Sequence, residues 1–240
     1  MKLIICENYD EMSARAAEII KKQINEKPTS VLGLATGSTP VGMYSRLVTM
    51  YNNKEVDFSG VRSVNLDEYY PLSAEDEQSY RYFMNKNLFD HVNIGKNNTH
   101  VPNGLAKDPE KEGKEYDDMI ASLGGVDIQV IGIGQNGHIG FNEPDTSLIY
   151  GTHLVKLTEN TIQVNSRFFD SEDKVPRYAM TMGIGSIMEA DKLLLLISGA
   201  SKHKALMALL DDKIDTNVPA TMIKLHHNAT VICDKDAYNG

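Results

Sequence analysis

The sequence predicts an α/β protein: a single-domain, open, mostly parallel sheet with helices on both faces. Three observations carry that prediction. Short apolar runs alternate with helix-patterned stretches along all 240 residues, as strand and helix follow one another in parallel sheets. Residues 193–197 (LLLLI) are apolar at every position, which suits a strand covered on both sides. No linker, repeat or low-complexity stretch breaks the alternation, so one domain over residues 1–240 is expected.

Residues 3–6 read as the first strand. Asp10 is placed to cap a helix to about residue 25, with Met12, Ala16, Ile19 and Ile20 at core spacing, and Lys27-Pro28 ends it. Residues 30–35 (SVLGLA) form a second strand, and Pro40 opens a helix to about residue 51. A third strand is expected at 61–66 and a helix at 78–89. Asp108-Pro109, a cap followed by proline in the first turn, starts a helix to about residue 123. Strands follow at 126–131 and 153–157, then a helix at 159–168, the buried strand at 192–198, a helix at 201–210 and a last strand at 229–233.

The composition is that of an ordinary globular chain, 41% hydrophobic and 24% charged, which excludes disorder as the main state. Against 24 basic residues stand 33 acidic ones, a net charge of −9. A nucleic-acid partner is therefore not expected, because such proteins carry a basic face. A single phosphate on a metabolite needs only local positive charge and backbone donors. Cys6 and Cys233 lie at opposite ends with no CxxC pair, reading as two small buried hydrophobes in a reducing compartment. The start MKLIICENYDEM meets an acid after six residues and is not a signal peptide. No apolar run is long enough to cross a membrane, and a cytoplasmic location is expected. His226-His227 are adjacent and no HExxH or Cys/His spacing occurs, so no metal is expected.

In parallel sheets ligands bind beyond the carboxyl ends of the strands, and four of those ends carry unusual chemistry. Residues 33–40 (GLATGSTP) run from strand through a Gly/Ser/Thr turn into a helix. That is either a phosphate cradle, with Thr36, Gly37 and Ser38 beside a positive helix terminus, or an ordinary capped turn. The Walker lysine is missing, so it is not a nucleotide P-loop. Residues 65–70 (NLDEYY) put Asp67 and Glu68 at a strand end, as a general base or as a solvated pair. Residues 132–144 (GIGQNGHIGFNEP) contain GxGxxG, but Gly140 and Pro144 sit where a dinucleotide fingerprint needs its long helix. A catalytic loop holding Asn136, His138 and Glu143 fits better, with the carboxylate orienting the imidazole. Residues 198–202 (SGASK) bring Lys202 to a helix start, as an anion ligand or as a solvated lysine. Arg167, in Ser166-Arg167, has a fork that matches phosphate.

LGLATGSTP, NLDEYY, GIGQNGHIGFNEP, NSRFF and SGASK occur in this order over about residues 30–235, and together they resemble the glucosamine-6-phosphate deaminase family in its short bacterial form, the chain stopping soon after the last strand. The resemblance implies a Rossmann-like sheet of the deaminase/isomerase type. It implies conversion of glucosamine 6-phosphate and water to fructose 6-phosphate and ammonia, in amino-sugar catabolism, with no organic cofactor and no metal. It implies Asp67 as the base that moves a proton from C2 to C1, and His138 in ring opening with Glu143 orienting it. The phosphate would lie on Thr36, Gly37 and Ser38, clamped by Arg167 and Lys202, with Ala35 and Gly132 also at the substrate.

Two departures stand out. Many members have Asp at the position of Asn136, and asparagine can hold the imidazole tautomer but cannot offset a positive charge, leaving that to Glu143. Some longer members are activated through basic residues in a segment that here, at 147–155, carries no Lys or Arg, so no such activation is expected. Two alternatives share parts of the pattern: a 6-phosphogluconolactonase-like hydrolase, which lacks the FNEP ending, and a non-catalytic sugar-phosphate-sensing domain, for which the chain has no spare N-terminal segment.

Overall fold

The computed structural model describes residues 1–166, 169 and 171–240, the side chains of Asn160, Val164 and Glu172 excepted. Its centre is a parallel sheet. β1 (Lys2–Cys6), β2 (Val31–Leu34), β3 (Arg62–Asn65), β5 (Thr99–His100), β6 (Ile128–Gly132), β9 (Leu193–Ile197) and β10 (Ala229–Asp234) line up in the order β1-β10-β9-β6-β2-β3-β5. Every neighbouring pair is parallel. The expected mostly parallel sheet is therefore present, and β9 is buried at all five positions.

The chain winds outward from the centre in two directions. From β2 it passes to β3 and β5 on one side; from β6 it passes to β9 and β10 on the other. The switch point lies between β2 and β6, and the crevice beyond their carboxyl ends is where such folds place ligands. The same two ends carry the glycine-rich segments that begin at residues 35 and 132.

A second sheet was not expected. β4 (Asp67–Tyr70), β8 (Tyr178–Thr181) and β7 (His153–Lys156) pair antiparallel in the order β4-β8-β7. The transfer between sheets happens at Leu66. Its N–H donates to Leu34 O at 3.2 Å, and its carbonyl accepts from Met182 N at 2.7 Å. The segment that follows the expected 61–66 strand in the sequence is thus a separate strand turned onto a different sheet.

The helices are α1 (Tyr9–Glu26), α2 (Val41–Asn52), α3 (Tyr80–Asn87), α4 (Pro109–Ser122), α5 (Glu159–Asn165), α6 (Ile184–Met188), α7 (His203–Leu210) and α8 (Lys235–Asn239). The cap of α1 is Asn8, whose Oδ1 accepts from Glu11 N at 3.0 Å; Asp10 lies in the first turn and pairs with Arg46. α3 starts after Ser79, which caps Tyr82 N at 3.0 Å, and is followed by a 3-10 turn at Phe89–His91. α7 is shorter than expected because Ala200–Lys202 form a 3-10 turn of their own. α6, α8 and the 3-10 segment Pro219–Leu225 have too few residues to show a helical period. Cys6 and Cys233 are free and buried. Among the described residues, no helix is long and apolar enough to cross a membrane.

Candidate active site

Two turns build one side of the cavity. β2 ends at Leu34, and Ala35 is anchored by Tyr44, whose hydroxyl donates to Ala35 O at 2.6 Å. Gly37 then takes φ +89°, a conformation costing other L-residues roughly 1–2 kcal/mol, and α2 begins four residues later. Beside this turn, β9 runs into Ser198 and Gly199 at φ +90°. The buried Asp234 carboxylate accepts from Gly199 N at 3.0 Å and from Ser198 Oγ. That fixes the turn carrying Lys202, which lines the same cavity as Thr36, Gly37 and Ser38. Arg167 lies outside the described residues.

The two acids at 67 and 68 have separate fates, because neighbours on a strand point to opposite faces. Glu68 turns to the start of α3. Its Oε1 accepts from Tyr69 N at 2.9 Å and Tyr80 N at 2.8 Å, and its Oε2 from Arg81 N at 3.0 Å. Asp67 faces the cavity, and among the described residues no hydrogen bond reaches its carboxylate. It is 6% exposed. Burial first, and the Glu68 charge second, push its pKa up to about 8.

The third group stands on the loop after β6, where no helix follows before β7, so the dinucleotide reading fails on its structural requirement. The His138 ring packs over Gly134, where a Cβ would lie 2.4 Å from Nδ1. Gly137, at φ +87°, faces Val218, whose Cγ1 would be 2.4 Å from a Cβ there, and Ala220 N donates to Gly137 O at 2.8 Å. Glu143 Oε2 is 3.4 Å from His138 Nδ1, at ion-pair distance though without hydrogen-bond alignment. The same Oε2 accepts from Asn136 Nδ2 at 2.7 Å; Oε1 accepts from Thr161 Oγ1, and from Thr158 Oγ1 at 3.3 Å. Burial pushes the Glu143 carboxyl up, but His138, Thr161 and Asn136 together outweigh it and hold it at about 2. Among the described residues, no hydrogen bond links Asn136 to the imidazole ring. Its Oδ1 accepts from the backbone N–H of His138 at 3.2 Å, so its hold on the ring is indirect, through Glu143 and the main chain.

These groups surround one cavity of about 430 Å³. Ala35, Thr36, Gly37, Ser38, Asp67, Gly132, His138 and Lys202 all line it, while Asn136 and Glu143 stand behind His138. The sequence reading missed its aromatic wall. Tyr80 and Phe141 stack 6.1 Å apart at 3°, and Tyr69 meets Tyr80 at 4.8 Å and Phe169 at 5.6 Å. It also missed Thr161 and Asn165, which line the cavity from α5; Asn165 Nδ2 donates to Tyr69 Oη at 2.9 Å. Tyr69 sits in a motif the sequence reading had singled out, but the wall brings together distant segments and leaves no local signature. Tyr70, grouped with Tyr69 in the sequence, turns away and donates to Ala106 O at 3.1 Å.

Residues 7–232 match the family model of glucosamine-6-phosphate isomerases/6-phosphogluconolactonase. The chain belongs to that family. Within the glucosamine-6-phosphate isomerase/6-phosphogluconolactonase family it is 56% identical to the glucosamine-6-phosphate deaminase of Thermoanaerobacter sp. (strain X514), over 99% of this chain and 94% of the relative. It is 55% identical to the glucosamine-6-phosphate deaminase of Clostridium perfringens (strain 13 / Type A), over 99% of this chain and 98% of the relative. A solved monomeric glucosamine-6-phosphate deaminase superposes with a TM-score of 0.97 at 46% identity, covering 100% of this chain and 99% of that one. The 6-phosphogluconolactonase of Thermotoga maritima superposes with a TM-score of 0.76 at 20% identity, covering 98% and 99%, a likeness of fold alone. The family fold is the seven-stranded parallel sheet with the small antiparallel sheet beside it.

Proposed function

We propose that this chain is a glucosamine-6-phosphate deaminase, taking glucosamine 6-phosphate and water to fructose 6-phosphate and ammonia. One observation carries the reading. A carboxylate, an imidazole and a phosphate-sized cradle line a single cavity, in a chain more than half identical to deaminases over almost its whole length.

His138 moves a proton from O1 to the ring oxygen, opening the sugar to its aldehyde. Glu143 keeps the imidazole in place and balances its charge, and Asn136 fixes Glu143. Asp67 takes the proton from C2 while the C2 ammonium gives one to O1, leaving an enolamine, and Asp67 then returns its proton at C1 to give a protonated C2 imine. Water adds to the imine carbon and ammonia leaves, producing the ketone. Asp67 suits this work, because a carboxylate without donors in a buried site binds a proton near neutral pH, as a reversible base must. Each positioned group is worth roughly 10²–10⁴-fold in rate. Thr36, Gly37, Ser38, Arg167 and Lys202 hold the phosphate, with Ala35 and Gly132 at the sugar, so binding energy remote from C1 and C2 keeps those carbons in register.

We further infer that the chain works as one domain in the cytoplasm, where phosphorylated sugars are kept, and without activation through the 147–155 segment. One assay separates the deaminase from its lactonase cousin. Ammonia and fructose 6-phosphate should form from glucosamine 6-phosphate, with no acid released from 6-phosphogluconolactone. Lactone hydrolysis without ammonia release would overturn the reading, and sugar-phosphate binding with neither product would make the chain a sensing domain. Sigmoidal kinetics relieved by N-acetylglucosamine 6-phosphate would remove the inference about activation.

A further inference from the structure

The phosphate loop has little packing of its own. A Cβ built on Gly37 would meet nothing within 4 Å, and Ser38 is exposed. A backbone cradle binds an anion well only when its N–H groups are already held in place, since ordering them on binding costs affinity. One side chain that holds this loop on its outer side belongs to the first residue of α1. Tyr9 Oη donates to Ser38 O at 3.1 Å and accepts from Gly42 N at 2.8 Å. One hydroxyl thus ties the loop to the first turn of α2. A glycine makes the approach possible, because a Cβ on Gly42 would lie 2.3 Å from Ser13 Oγ and 3.0 Å from Tyr9 Cε1. Tyr9 does not line the main cavity, so any effect it has on the sugar passes through the backbone.

We infer that Tyr9 is a positioning residue for substrate binding, its hydroxyl clasping the 36–38 loop to α2 in the shape that receives the phosphate. This rests on the reading of that loop as the phosphate cradle. Tyr9→Phe keeps the ring and removes both hydrogen bonds. It should raise KM for glucosamine 6-phosphate, and the inhibition constant of inorganic phosphate, by the same roughly 3- to 10-fold, the worth of about one net hydrogen bond. The turnover number and the pH profile should hold. A tyrosine that only stabilises the packing of α1 on α2 would lower Tm and leave the phosphate constant where it was, and that result overturns the inference. Lys202→Ala, measured alongside, separates the two levels. Weaker phosphate inhibition in Lys202→Ala but not in Tyr9→Phe removes the role of Tyr9 and leaves the cradle. No change in either variant removes the phosphate assignment, and the inference with it.

Discussion

Two carboxylates stand at the site, Asp67 buried in the cavity wall and Glu143 half-buried behind His138, and they are held in contrary states. Asp67 receives no hydrogen bond among the described residues and is pushed up to about 8, by burial and then by the charge of Glu68. Glu143 receives Asn136, Thr161 and Thr158 and faces His138, and is held at about 2 despite its burial. Burial raises both, so His138 and the donors around Glu143 make the difference. A carboxyl without donors is a proton acceptor in waiting, whereas one surrounded by donors is a fixed negative charge. That contrast supports the proposed roles, proton transfer at Asp67 and orientation of the imidazole by Glu143.

The sharpest way to break the contrast is Asp67→Asn. Turnover should fall by roughly 10²–10⁴-fold, while the fold becomes more stable. The sign follows from the raised native pKa. The native state of the wild type holds a proton that the unfolded chain has already lost, so this group's contribution declines as pH rises from about 3.8 to about 8. Thermal unfolding across that range should show the variant gaining on the wild type, and a variant less stable than wild type at pH 8 would contradict the assignment. Glu143→Gln tests the other side. Its turnover should drop by roughly 10- to 10²-fold, with the imidazole present but less well held. Its stability deficit should be present above about pH 4.5 and should close as pH falls toward about 2, because the depressed carboxylate stabilises the fold only while ionised.

Much of this arrangement is legible in the sequence. A continuous apolar run marks β9 and apolar-rich runs mark β6 and β10, and the rule that ligands gather at strand ends leads directly to residues 35–38, 67, 132–143 and 202. The antiparallel sheet is not legible, because β4 and β8 are four residues each and β4 follows β3 after a single residue. With β4 hidden, the period-2 alternation that sends Asp67 and Glu68 to opposite faces is hidden as well. Asn136 shows the same limit. Two residues from His138, it reads as the imidazole's partner, but the loop closes on Gly137 at positive φ and hands its amide to Glu143.

That placement gives a finer test. Asn136→Asp sets a second carboxyl where an amide now donates to Glu143 at 2.7 Å. Two such groups cannot both ionise cheaply, so the pH–rate profile should move by on the order of one unit, and an unchanged profile would mean that Asn136 has no part in holding the pair. Gly137→Ala perturbs only the support of the loop. Backbone strain and the contact with Val218 should cost about 1–3 kcal/mol of stability, read as a lowered denaturant midpoint, with a smaller loss of turnover than either carboxyl variant.

Transfer of the C2 hydrogen can be followed directly with glucosamine 6-phosphate deuterated at C2. Wild type should strip the deuterium and deliver it to C1 of fructose 6-phosphate or to water. His138→Gln, given time for spontaneous ring opening, should still strip it, whereas Asp67→Asn should leave it in place. Loss of the C2 deuterium at the wild-type rate in Asp67→Asn would show that the base lies elsewhere.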